Sequence, residues 1–223
     1  MFPLARLLRR SQLRDQGINS TGVSDEKRPK LLAAVLVPGG AQSALATPME
    51  FTAVLSGANE SPPNGSLGTG FADVFLDPIA KTLQINVSYS GLSSNSTAAH
   101  IHCCTAVPLT GTAGVSTPAP AWAGFPLGVT AGTFNSPVFD LTLSSSYLPG
   151  FITAHGGTAA SASADFIAGM LASETYLNIH TVNVGGGEIR GFLVFVPEPM
   201  TLSVFGVGLA GAAVLRKRRK AKA

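Results

Sequence analysis

The sequence predicts an all-β fold, an antiparallel Greek-key β-sandwich with one short helical insert. In the segment 82–90, Leu83, Ile85, Val87 and Tyr89 alternate with polar residues, which is the period of a strand with one buried face. Clusters of Gly, Pro, Asn and Ser separate short apolar segments along the chain, as expected for turns between strands. A signal peptide and a C-terminal apolar helix are predicted to flank this body.

Short segments with β-forming residues give the predicted strands in order. They are Glu50–Ser56, Gly70–Leu76, Thr82–Ser90, Ala98–His102, Val138–Leu143, Thr175–Thr181 and Glu188–Val196. The three glycines 185–187 predict a tight turn before the last strand. A long loop rich in Gly, Pro and Ala is predicted over residues 103–133.

One helix is predicted between the fifth and sixth strands. Phe166, Ile167, Met170 and Leu171 have the spacing of an apolar helical stripe, and Ser163 is the predicted N-cap. This segment is the helical insert of the predicted sandwich.

The N-terminal residues predict an export signal. Residues 1–30 are rich in basic side chains and are followed by the apolar segment Leu31–Val37. Ala44-Leu45-Ala46 then matches the small-residue pattern of a cleavage site. We therefore expect residues 1–46 to be a leader and signal peptide, with cleavage after Ala46.

The C-terminal residues predict a transient membrane anchor. Met200–Leu215 is uncharged and somewhat shorter than the roughly 20 residues of a full membrane span. The basic cluster Arg216–Lys220 follows and is expected to stay on the cytoplasmic side. The motif Pro197, Glu198 and Pro199 precedes the apolar run in an extended hinge. We expect segment 200–215 to hold the precursor transiently in the inner membrane.

These C-terminal features together resemble the PEP-CTERM signal of Gram-negative, exopolysaccharide-producing bacteria. The resemblance covers Val196–Ala223 and has the same three parts in the same order. It implies that an exosortase removes the segment 197–223. It also implies an inner-membrane-anchored precursor that reaches the cell surface or the extracellular matrix of a Gram-negative bacterium.

The charge of the body differs from that of the whole chain. The full sequence carries a formal charge of +3, but residues 47–196 contain only two basic side chains, Lys81 and Arg190, against eight acidic ones. The mature domain is therefore acidic, which disfavours direct nucleic-acid binding because phosphate contacts need a basic surface. About 150 residues is the length of one domain with a proper core.

Three blocks of the body resemble a CHRD domain. They are Phe51–Glu60, Gly91–His102 and Tyr176–Gly191, in the family's order. The family is named after chordin, an extracellular inhibitor of bone morphogenetic proteins. The resemblance implies an exported binding or structural domain, and we expect exopolysaccharide or other matrix proteins as partners. Because no serine has an obvious paired base, the expectation is a non-enzymatic protein that requires no cofactor.

The histidines carry the second hypothesis. His100 and His102 are two apart on a predicted strand and therefore share a face, and His180 lies on a late strand. Imidazole pairs of this kind suit copper or zinc, although both rings could instead hydrogen-bond backbone groups in a partly polar core. The pattern is similar to copper/zinc superoxide dismutase, an immunoglobulin-like sandwich, and implies a metal-dependent redox activity as the minor alternative. His155 is a weaker candidate, for a bridging position.

Cys103 and Cys104 are the only cysteines of the chain. In an exported protein they are expected to form a disulfide between neighbours, to bridge two molecules, or to ligate a soft metal beside His102. The first of these is the preferred interpretation.

Overall fold

The structure is a computed structural model, and it describes residues 47–197. The predicted β-rich fold is confirmed, since residues 47–197 contain few helices and nine strands. They are β1 (Met49–Ser56), β2 (Thr69–Asp77), β3 (Thr82–Ser90), β4 (Ser96–His102), β5 (Gly132–Asn135), β6 (Phe139–Asp140), β7 (Tyr176–Thr181), β8 (Ile189–Phe192) and β9 (Val194–Val196). The helices are α1 (Pro149–Ala154) and α2 (Ala159–Leu171), with 3₁₀ turns at Gly57–Asn59 and Ser144–Ser146.

Hydrogen bonds link the nine strands into one curled antiparallel sheet. Its order is β4-β7-β8-β1-β2-β3-β5, with β6 also paired to β3 and β9 to β1. The Greek-key sandwich is not confirmed, because the described strands form one continuous path rather than two separate sheets. The topology brings β4 beside β7, although 73 residues separate the end of β4 from the start of β7.

The core lies on one face of this sheet. The predicted alternation in β3 is confirmed, since Leu83, Ile85, Val87 and Tyr89 are buried and Ser88 and Ser90 are exposed. Complete removal of such apolar side chains from water contributes about 1.5–3 kcal/mol each. The largest fully buried side chains are Phe51, Phe166, Leu55, Leu76, Leu83, Ile85, Ile101, Leu141, Met170, Leu177, Ile179 and Ile189.

Three strand predictions need correction. Strand β5 lies partly within the predicted long loop and was not predicted, and the predicted strand 138–143 is reduced to β6. The predicted last strand is divided at Leu193, because β8 pairs with β7 whereas β9 pairs with β1. At that point the Leu193 amide donates to the carbonyl of Thr175 instead of joining either ladder.

The predicted helix start is wrong. Helix α2 begins five residues after α1 ends, and its N-cap is Thr158 rather than Ser163. The Thr158 hydroxyl accepts from the Ser161 amide at 3.1 Å, and the Ser161 side chain accepts from the Thr158 amide in return. The helix therefore begins after Thr158 and not after Ser163, which is completely buried inside the helix. The stripe prediction is confirmed for Phe166 and Met170, which are fully buried, but it is wrong for Leu171, which is exposed, and Ile167 is only partly buried.

The long loop after β4 covers the free edge of that strand. The Cys103 amide donates to the Gly114 carbonyl, the Ser116 amide to the Ile101 carbonyl, and the Ala99 amide to the Pro120 carbonyl. Unpaired edge groups are thereby satisfied. The same contacts place the loop carbonyls beside the histidines of β4.

Several predictions concern residues outside the described part of the chain. These are the signal peptide with its cleavage after Ala46, Glu198 and Pro199 of the sorting motif, and the apolar segment 200–215. Within residues 47–197, no helix is long and apolar enough to cross a membrane.

Candidate metal centre

Neighbouring strands β4 and β7 bring three histidines together. In their antiparallel register His180 lies opposite Ala98, which shares a face with His100 and His102. The three rings therefore project from one face of two adjacent strands. His100 and His102 are buried, and His180 is partly buried.

The imidazole rings converge on one point, as the sequence hypothesis requires. One ligand atom from each of the three residues lies within 4.8 Å of the others. Nε2 of His100 is 2.9 Å from Nε2 of His180, and the ring centroids of His100 and His102 are 4.7 Å apart. The structure thus places all three predicted ligands in a single cluster.

Backbone carbonyls hold the opposite nitrogen of every ring. In His100, Nδ1 lies 3.3 Å from the Pro120 carbonyl oxygen. In His102 it lies 2.8 Å from the Ala113 carbonyl oxygen, and in His180 it lies 2.9 Å from the Gly185 carbonyl oxygen. A carbonyl oxygen only accepts, so we assign the proton of each neutral ring to Nδ1. This leaves a lone pair on each Nε2, directed toward the centre of the cluster.

Burial keeps the rings neutral. Burial lowers the pKa of His100 to about 3, with the neighbouring His102 and His180 adding to the effect. Burial likewise lowers the pKa of His102 to about 4, and it lowers the pKa of His180. At neutral pH the cluster therefore offers lone pairs rather than positive charges.

The centre of the cluster lacks internal hydrogen-bond partners. Two lone pairs face each other between His100 and His180, and the buried Nε2 of His102 has no partner among the described residues. An unpaired buried polar atom costs about 1–3 kcal/mol. A bound cation would satisfy all three nitrogens, and the carbonyl contacts at Nδ1 are the usual outer support of metal-binding imidazoles.

The other predicted ligands are not part of the cluster. His155 Nδ1 contacts the Asp165 carboxylate at 2.8 Å, and its ring packs at a tilt against Phe151. Cys103 and Cys104 form a disulfide with each other, which confirms the preferred interpretation. Their sulfur atoms pack against α2 at Gly169, where any side chain would collide with them.

Sequence reasoning missed several groups around the site. The ring of Tyr176 stacks on His102 at 4.6 Å, and the Arg190 guanidinium lies over Tyr176 at 4.6 Å. Glu188 is the acidic residue nearest to Arg190 in the sequence, but the ion-pair partner of Arg190 is Glu60. The carbonyls of residues 113, 120 and 185 leave no trace in side-chain patterns, so no sequence motif could have identified them.

Comparison with known proteins identifies two segments. Residues 51–193 match the CHRD domain, and residues 195–219 match the PEP-CTERM protein-sorting motif. No curated protein and no solved structure showed a significant match. The sorting motif implies processing by an exosortase and export toward the cell surface. Because the first match spans more than half of the chain, this protein belongs to the CHRD domain family.

Proposed function

We propose that this exported protein is a non-enzymatic surface module that holds one copper or zinc ion between His100, His102 and His180. The observation that carries the proposal is the set of three Nε2 lone pairs that face one another. Neutral imidazole is a preferred ligand of both metals.

The spacing of the nitrogens suits such an ion. Bonds of about 2 Å around a tetrahedral ion separate two ligand nitrogens by about 3.3 Å. The closest pair here lies at 2.9 Å, and all three ligand atoms lie within 4.8 Å of one another. Small rotations of the rings would therefore be enough to admit the ion.

A holding role is favoured over proton chemistry by the outer contacts. Each Nδ1 proton is donated to a backbone carbonyl, so the rings are fixed in orientation and tautomer. Such rings are well placed to retain an ion. They are poorly placed to accept and release protons during a reaction.

We propose the following route for the protein. The signal peptide is removed after Ala46, and segment 200–215 holds the precursor in the inner membrane until exosortase cleavage near Pro197, Glu198 and Pro199. The released domain then acts at the cell surface or in the extracellular matrix, in contact with exopolysaccharide or other matrix proteins. The matched sorting motif supports the exosortase step and the export toward the cell surface.

Metal uptake by the purified apo-protein tests the proposal. We expect Cu(II) or Zn(II) to bind near one equivalent, measured by titration calorimetry and elemental analysis after gel filtration. The His100→Ala/His102→Ala variant should lose at least about 100-fold in affinity, because loss of two direct ligands exceeds the effect of disturbing outer contacts. His155→Ala is the matched control, since His155 lies outside the cluster.

Two results would contradict this function. One is unchanged uptake in the double variant, and the other is an equal loss in the His155→Ala control. Circular dichroism of each variant separates loss of the site from loss of the fold.

A further inference from the structure

A second polar site lies in an open cleft on the same domain. The cleft has a volume of about 490 Å³ and is lined by residues of β1, the first 3₁₀ turn, loop 109–111 and β8. Arg190 and Glu60 are its charged residues, and both are more than nine-tenths buried. No part of the proposed metal site contributes to this lining.

The ion pair between these two residues is incomplete on both sides. Nε of Arg190 lies 3.7 Å from Oε2 of Glu60, beyond hydrogen-bond distance, and donates to the Asn59 carbonyl instead. Oε1 of Glu60 is buried and has no partner among the described residues. A structural ion pair of this degree of burial would be expected to satisfy its oxygens.

Arg190 also keeps unused donors. Its guanidinium has five N–H groups, of which Nε serves Asn59 and one on Nη1 serves Gly111. The other three have no acceptor within the described chain. The planar group is held in place by the rings of Tyr176 and Phe192, at 4.6 and 5.6 Å. A fixed guanidinium fork with free donors is suited to a carboxylate.

We propose that the Arg190 cleft binds a carboxylate group of an extracellular ligand, with Glu60 as the internal carboxylate that competes for the same arginine. The inference does not depend on the proposed metal. Arg190 supplies the charge-assisted hydrogen bonds, and the polar groups of Asn59 and Ser61 line the cleft beside it. The carboxylate can come from an acidic sugar or from a small organic acid.

Burial raises the pKa of Glu60 to about 7, against the lowering effect of Arg190 and of the Ser61 amide. Three other charged or titratable groups lie nearby. Tyr176 of β7 lies under Arg190, and Glu188 is directed to serine and threonine donors. His102 of β4 stacks on Tyr176, and burial, with a smaller effect from Arg190, lowers its pKa to about 4, so it stays neutral between pH 8 and pH 6. Protonation of Glu60 removes its charge from Arg190. Carboxylate binding should therefore strengthen as the pH falls through 7.

The test uses the full chain and three probes: glucuronate, acetate and neutral glucose. Binding is followed by NMR chemical shifts of the Gly111 and Arg190 amides. With a pKa of about 7 for Glu60, the neutral fraction rises about tenfold between pH 8 and pH 6, and the apparent Kd should fall by the same factor. Binding of both acids supports recognition of the carboxylate alone, and binding of glucuronate only supports an acidic sugar.

Two variants make the test decisive. Glu60→Gln keeps the shape of the side chain and should bind equally well at pH 8 and pH 6, whereas Arg190→Lys should bind about tenfold more weakly because the planar fork is lost. Glu50→Gln is the matched control, since Glu50 lies near the opposite end of β1 from the Ser56–Arg190 pairing, and it should keep the pH dependence.

The proposal is overturned if glucose shifts the same amides equally, if neither acid binds, or if Glu60→Gln retains the pH dependence. Metal uptake by Glu60→Gln should be unchanged, so a failure here is separable from a failure of the metal site.

Discussion

Two buried polar clusters at the ends of one short segment, 180–188, are completed in opposite ways. At one end, the Glu188 carboxylate accepts hydrogen bonds from the Ser66 hydroxyl, the Ser93 amide and hydroxyl, and the Thr181 hydroxyl. At the other end, His180 joins a cluster whose outer nitrogens are all paired and whose inner nitrogens face each other. The first cluster is satisfied by the protein itself, whereas the inner nitrogens of the second find no protein donor among the described residues.

This difference is the basis for giving the first cluster a structural role and for proposing a binding role for the second. A buried carboxylate with several donors ties together the segments that supply them, here the loops at 66 and 93 and the end of β7. A cluster of facing lone pairs costs free energy when no donor or cation satisfies it, and no protein donor does so among the described residues. Burial alone therefore does not distinguish a structural cluster from a binding cluster. The number of buried polar atoms without a hydrogen-bond partner does distinguish them.

The largest expected effect is the pH dependence of stability. Above pH 6.5 the histidines are neutral in both the folded and the unfolded chain. Below it the unfolded chain binds protons, whereas folded His102 and His100 do so only near pH 4 and pH 3. Between pH 7 and pH 5 the free energy of unfolding of the metal-free protein should fall by about 2 kcal/mol for each of these two residues. Urea denaturation at several pH values measures this fall in the free energy of unfolding.

The measurement needs a Glu60→Gln background. Glu60 has a raised pKa of about 7 and therefore contributes in the opposite direction, gaining stability as the pH falls through 7. The pKa of Glu188 is lowered, because its hydrogen bonds outweigh the raising effect of burial, so its contribution stays constant in this window. In this background, His100→Ala/His102→Ala should lose most of the pH dependence. A profile identical to that of the parent would show that the two rings do not titrate as described.

The next effect concerns the satisfied cluster. Replacing Glu188 by Gln keeps the shape but puts an NH₂ group opposite hydroxyl and amide donors that need an acceptor. We expect the free energy of unfolding to fall by about 3 kcal/mol at pH 7, since hydrogen bonds to a charged group contribute about 1.5–3 kcal/mol each. Asp73→Asn, which changes the charge equally on β2, should change stability by less than about 0.5 kcal/mol. Equal effects of the two substitutions would show that charge, and not the hydrogen bonds, is responsible.

The sequence predicted the grouping of the three histidines better than it predicted the structure around them. Spacing alone placed His100 and His102 on one strand face, and His180 lies on a late strand that pairs with it. The outer carbonyls come from loops whose path depends on tertiary contacts, so they could not be predicted. The same limit explains the short strand β5, which is defined by its pairing with β3 and not by an alternating pattern of its own.

The helix start shows a second limit of sequence reasoning. Both Ser163 and Thr158 have N-capping side chains, and the choice between them is made by the reciprocal bond to Ser161 and by the burial of Ser163. The partner of Arg190 shows a related limit. Glu188 is closer in sequence, but its carboxylate is already surrounded by donors, so Arg190 lies instead beside Glu60.

The smallest expected effect, His180→Leu, tests the comparison most directly. It removes one of the two facing nitrogens while retaining a similar volume, and it gives up only the Nδ1 bond to the Gly185 carbonyl. Because a repulsive contact and a hydrogen bond are lost together, the free energy of unfolding at pH 7 should change by less than about 1 kcal/mol. Metal affinity should nevertheless fall sharply, since one ligand is gone. Thermal and urea unfolding with and without zinc measure both quantities. A loss of stability as large as that of Glu188→Gln would mean that His180 supports the fold in the way Glu188 does, and the distinction between the clusters would fail.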